Sequence, residues 1–182
     1  MHIVYSAVPL KGGLFGLSAF SFACDCGKLK IVQLLIQKSV DHHIDLNAKS
    51  FCGNTAFHHA FKHHHSNVVE LLMNKSVEHN IQLDAVDNCG FTVFHWACMT
   101  GDLKIAEMFV TNSIELNIDL NMKSSDGKTA YQLACFNGHQ EITEMLKRKS
   151  SEFKIDLELS CESDKMFRQH LAKVPKLGDV LH

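Results

Sequence analysis

Two residue types able to do chemistry are abundant in this chain. There are 13 histidines and seven cysteines among 182 residues. Five histidines crowd one stretch: His58, His59, His63, His64 and His65. His59 and His63 stand four apart, so on a helix they share a face and their imidazoles could chelate a metal. No carboxylate or cysteine follows at a spacing that completes a tetrahedral set, so no metal ligand is assigned and no cofactor is expected. A cysteine–histidine nucleophile needs a positioned base and an orienting group. No spacing here fixes such a triple. Phosphate loops, kinase signatures and the Gly-x-Ser-x-Gly elbow are also missing from the sequence. No catalytic residue is assigned, and an enzyme is not expected.

The cysteines follow a different logic. The sequence repeats itself every 37 residues, which is the mark of a stacked array. Cys24, Cys98 and Cys135 fall in one column of the repeat, where a free cysteine serves as a small buried hydrophobe. Cys52 and Cys89 fall in another. Equivalent atoms of stacked helical units lie ~8–10 Å apart. A disulfide needs Cα atoms within ~7 Å, so free thiols are expected. An odd cysteine count placed by a repeat points to a reducing compartment.

Seven columns carry the period. Glycine recurs at Gly16, Gly53, Gly90 and Gly127, then an aromatic at Phe20, Phe57, Phe94 and Tyr131. Alanine recurs at Ala23, Ala60, Ala97 and Ala134, and a β-branched residue at Ile31, Val68, Ile105 and Ile142. The remaining columns are serine (Ser39, Ser76, Ser113, Ser150), isoleucine (Ile44, Ile81, Ile118, Ile155) and leucine (Leu46, Leu83, Leu120, Leu157). Two positions after each glycine, Ser18, Thr55, Thr92 and Thr129 are placed to cap a helix N-terminus. That short helix should end at a left-handed residue: Gly27, Gly101 or Gly138, with His64 in the second copy. A second helix follows, with apolar residues at i, i+3 and i+4, as in Ile31, Leu34, Leu35 and in Ile105, Met108, Phe109. An extended piece such as Ile44-Asp45-Leu46-Asn47 then leads to the next glycine turn.

Thr55-Ala56-Phe57-His58-His59-Ala60 and Thr92-Val93-Phe94-His95-Trp96-Ala97 resemble the ankyrin signature T-P-L-H-x-A. Asn137-Gly138-His139-Gln140-Glu141-Ile142 is similar to the family's link into its second helix. The resemblance covers about residues 14–158, in copies at 14–50, 51–87, 88–124 and 125–158. It departs from the family in three ways. The motif proline is Ala or Val, the histidine is Ser21 or Gln132 in the outer copies, and the period exceeds the usual 33 by about one helical turn. The extra turn is expected to lengthen the second helix, for example through Lys75 to His79.

The resemblance implies an all-α solenoid of antiparallel helix pairs with short β-turn fingers. It also gives His58 and His95 the family's structural role and places His59 in a core column with Phe22, Trp96 and Leu133. Residues 1–13 form an N-terminal segment. Residues 159–182 are expected to add a capping helix, with Ser163 and Asp164 at its start, Phe167, Leu171 and Val174 on one face, and Pro175 at its end.

Function follows from the same resemblance. The family binds partner proteins through a concave face of fingertips and first-helix ends. Here that face maps to Phe51, Cys52, Asn54, Asn88, Cys89, Phe91, Ser125, Asp126 and Lys128, with Asp25, Lys62, His63, Met99, Thr100, Phe136 and Asn137 from the helix ends. The apolar Phe51, Phe91, Met99 and Phe136 are the expected anchors. A scaffold, adaptor or inhibitor is the first reading. A regulatory or substrate-docking module of a larger enzyme or channel is the second, and metal binding by the histidine-rich second copy a minor third.

Composition narrows the partner. Net charge is -2, so nothing favours nucleic acid. No apolar run approaches the ~18–20 residues of a membrane span. The apolar N-terminus lacks the basic start of a signal peptide, and the sequon Asn74-Lys75-Ser76 falls inside an expected helix. An intracellular, cytoplasmic monomer is expected.

Overall fold

The computed structural model describes residues 16–157. The expected capping helix and Cys161 lie outside them. Eight helices form four consecutive pairs: α1 Ala19–Asp25 with α2 Leu29–Gln37, α3 Ala56–Lys62 with α4 Ser66–His79, α5 Val93–Thr100 with α6 Leu103–Asn112, and α7 Ala130–Phe136 with α8 Gln140–Phe153. First helices pack on first helices (α1 on α3, α3 on α5, α5 on α7). Second helices do the same (α2 on α4, α6 on α8). The only β pairing among the described residues is a bridge between Lys123 and Thr129.

Each first helix starts where a side-chain oxygen can replace a missing intrahelical partner. Ser18 accepts from the Ser21 amide, Thr92 from His95 and Thr129 from Gln132, and Thr55 forms a capping box with His58. The turn that follows uses positive φ at Gly27, Gly101 and Gly138, and at His64 (φ 58°) in the second copy, as expected.

The serine and isoleucine columns close the second helical segment of every copy. Each isoleucine amide donates to the carbonyl of the serine five residues before it: Ile44 to Ser39, Ile81 to Ser76, Ile118 to Ser113 and Ile155 to Ser150, at 2.8–3.1 Å. This is the Schellman closure, and it needs a left-handed residue just before the isoleucine. His43, Asn80, Asn117 and Lys154 fill that place, with φ of 50–52°. Each serine hydroxyl donates back to a carbonyl three residues earlier. The extra turn lengthens α4 and α8 to 14 residues. In the first and third copies it is a run of hydrogen-bonded turns, and α2 and α6 stop at Gln37 and Asn112.

The aromatic and alanine columns are buried in every copy. The β-branched column is not: Val68, Ile105 and Ile142 are buried, but Ile31 is 50% exposed. Leu34 and Phe22 are also more than half exposed, so Phe22 is not the core residue expected. In later copies His59 meets Asp25, Trp96 meets Lys62 and Leu71 lies beside Gln33 and Ile36 of the preceding helix pair, and no described helix precedes α1. In α2 the buried positions are Val32 and Ile36.

A candidate protein-binding face

Between helix pairs the chain forms short fingers. Their arms are joined by the Ser50, Asp87 and Ser124 amides, which donate to Asn54, Phe91 and Lys128 carbonyls at 2.9–3.0 Å. Neighbouring fingers are joined as well. The Asn88 amide donates to Cys52 O (3.1 Å) and the Ser125 amide to Cys89 O (3.2 Å). The ring of Phe51 lies on the turn of Gly16, where an added methyl would stand 2.7 Å from its Cε1. Even so, Phe51 is 78% exposed. Asn88 donates through its side chain to Phe51 O (2.9 Å), which fixes that residue's backbone.

The middle of the face is a cation seated on an aromatic ring. Lys62 Nζ lies 4.3 Å from the centre of the Trp96 ring. It donates to Asn54 Oδ1 (3.0 Å) and stands 3.9 Å from Asp87 Oδ2. Asp87 is buried and accepts three hydrogen bonds: from the amides of Cys89 and Phe91 at Oδ1 and from the Trp96 indole at Oδ2 (2.9 Å). Phe91 stacks on His95 and meets Trp96 edge-on at 5.3 Å.

These contacts sort the expected site residues. Phe51, His63, Asn88, Thr100, Phe136 and Asn137 are exposed. Lys62, Phe91, Met99 and Lys128 are half-buried, and Asn54 is buried, serving the face through Lys62. Lys128 stands over Phe136, 5.5 Å from its ring centre. Thr100 and Asn137 donate back to helix carbonyls at Trp96 and Leu133. Cys52, Cys89, Ser125 and Asp126 are exposed at the fingertips. The repeat columns alone do not single out Trp96 and Asp87 as a pair. Trp96 shares a column with the buried Leu133, and Asp87 one with Ser50 and Ser124. A half-buried indole does need an N–H acceptor, and an acid nine residues upstream is the available signal.

Several of the described histidines are struts between copies. His58 Nδ1 accepts from the Thr55 amide, and its Nε2 donates to Phe91 O (3.0 Å) in the next finger. His95 repeats this with Thr92 and Met122 O (2.9 Å). Gln132 Oε1 accepts the equivalent amide, from Thr129. Burial pushes the His58 imidazole down to about 4, and burial also lowers His95. Both therefore act as neutral rings.

His59 and His63 do meet a carboxylate, one that spacing along the chain does not reveal. Asp25, in the preceding helix pair, places Oδ1 3.0 Å from His59 Nδ1 and 3.0 Å from His63 Nε2. Burial outweighs Asp25 and lowers the His59 pKa, and its Nε2 is buried without a partner. Among the described residues, no group of three or more His, Cys, Asp or Glu side chains is arranged to hold a metal ion.

Two buried thiols, Cys24 and Cys98, are held in the protonated form. Burial, with Asp25 adding to it, pushes Cys24 up to about 12, and burial also raises Cys98. The six described cysteines are all free. No described helix is long and apolar enough to cross a membrane.

The family model for ankyrin repeats (3 copies) matches residues 4–83 and 77–158. The chain therefore belongs to the ankyrin-repeat family, whose members generally bind other proteins. No curated protein matches it significantly.

Proposed function

We propose that this chain is a protein-recognition module of four repeats, working as a scaffold, adaptor or inhibitor. Its partner lies along the concave face made by the fingers and first-helix ends. The observation that carries this reading is Phe51, a large aromatic left 78% exposed on a finger that its neighbour holds in place. Phe136 supplies a second anchor, with Lys128 over its ring. Exposed aromatics on a rigid frame are the usual centres of binding energy. The module works as an intracellular, cytoplasmic monomer and needs no cofactor or catalytic group.

A second reading is a docking module within a larger enzyme or channel. The exposed Phe22, Ile31 and Leu34 of the first helix pair support it, because the β-branched column is buried in every later copy. The test is affinity capture with wild type and with F51A/F136A, read by mass spectrometry. The expected result is a protein retained by the wild type and lost by the double variant. Identical captured sets would overturn the assignment of the face.

A further inference from the structure

One column of exposed aliphatic residues has no part in the fold. Val40 is 75% exposed, Val77 75% and Ile114 71%, and they stand 37 residues apart. They sit in the extra turn that follows or ends each second helical segment, so none belongs to the finger face. In the fourth copy the position is Ser151, also exposed, so the fold does not need an aliphatic residue there. Together they make a line of apolar side chains across three neighbouring copies.

The surroundings of this line are acidic. An acid directly follows each member: Asp41, Glu78 and Glu115. Lys38 and Lys75 partner the first two, at 3.8 and 2.6 Å. At the third copy Asn112 replaces the lysine and donates instead to Met108 O. Val77 also lines a surface groove with Asp84, Leu116 and Asn117. Residues 74–84 and 111–119 carry four carboxylates, Glu78, Asp84, Glu115 and Asp119, against one lysine, Lys75.

We propose that Val40, Val77 and Ile114 form a second docking line, for a basic amphipathic helix of a partner protein. Neighbouring second helices lie ~8–10 Å apart. Residues seven apart on a helix are separated by ~10 Å along its axis. A partner helix with aliphatic residues at i, i+7 and i+14 therefore meets the three positions in turn, and its Lys and Arg meet the carboxylates. A second copy of this chain would set acid against acid. An anionic lipid surface would be repelled in the same way.

The probe is a labelled Leu/Lys peptide of about 18 residues, ~27 Å as a helix, with leucines in i, i+3, i+7 phase. It is titrated against the full chain by fluorescence anisotropy. Saturable, salt-sensitive binding is expected, about tenfold weaker for V40S/V77S/I114S and for E78Q/E115Q. Both variants keep the wild-type unfolding midpoint, since the changed side chains are exposed. The finger variant F51A/F136A binds the peptide as the wild type does, which separates this line from the finger face. Three results would each overturn the proposal: no saturable binding, equal affinity for the serine variant, or equal binding to phosphatidylserine vesicles.

Discussion

The ring of His139 lies against the α-carbon of Gly101, and its Nε2 donates to the carbonyl of Met99 (2.8 Å). The first copy repeats the arrangement with His65, Gly27 and Asp25 O (2.9 Å). A histidine from the next copy thus satisfies a carbonyl at the end of a first helix, and a glycine makes room for the ring. Where the glycine is His64, the next copy brings Asp102 instead of histidine.

Gly101→Ala is therefore predicted to act twice. The residue is left-handed (φ +83°), and a methyl would stand 2.6 Å from His139 ring atoms. The expected loss is about 2–4 kcal/mol, from left-handed strain plus a broken, partly buried hydrogen bond. Gly138→Ala is the control, since its φ is +74° and no described residue lies within 4 Å of an added methyl. It should lose only about 1–2 kcal/mol. Urea midpoints of the two variants measure the difference, and equal losses would remove the role given to the ring.

His64→Gly should stabilise. His64 is exposed with φ 58°. Glycine adopts that backbone freely, and the gain should be about 0.5–1 kcal/mol after its larger unfolded-state entropy is counted. Thermal unfolding checks the sign, and a lower midpoint would contradict it.

Acid should loosen the stack. The folded His58 value is about 4, against 6.5 for an ordinary histidine. A histidine lowered by folding stabilises fully above the unfolded value and loses that contribution as pH falls from 6.5 towards 4. The full loss at His58 is about 3 kcal/mol. His59 and His95 are lowered too and act in the same direction. His58→Gln, copying Gln132, should flatten part of the slope between pH 7.5 and 4.5 in urea unfolding. An unchanged slope would exclude His58 as its source.

Asp87 and Lys62 should separate stability from surface chemistry. Asp87→Ala leaves two amides and the Trp96 indole without an acceptor, a loss of about 2–4 kcal/mol. Lys62→Met removes a half-exposed cation from the same ring and should change stability by about 1 kcal/mol or less. Trp96 is the only tryptophan, so its emission should report both changes. A Lys62→Met spectrum identical to wild type would contradict the stacked geometry.

Much of the scaffold was legible because its determinants are local. The cap residues Ser18, Thr55, Thr92 and Thr129 need only their own first turn, and the left-handed φ of each turn glycine is signalled by the glycine itself. Contacts between copies were less visible. Asp25 reaches His59 from 34 residues away, and Lys62 reaches Trp96 by the same spacing. The column pattern marked Phe91 as an exposed anchor, while its stacking on His95 and Trp96 half-buries it. Phe91→Ala is accordingly expected to lower stability, and Phe51 takes its place as the exposed anchor. The left-handed site before each isoleucine was hidden by its occupants, since His43 and Lys154 give no glycine-like signal.

Recognition through the finger face is tested most directly by one comparison: the Kd of the captured partner for wild type and for F51A/F136A, with urea midpoints measured on the same samples. The prediction is at least about tenfold weaker binding by the variant, with the urea midpoints showing that it stays folded under the binding conditions. An unchanged Kd would contradict the assignment of this face.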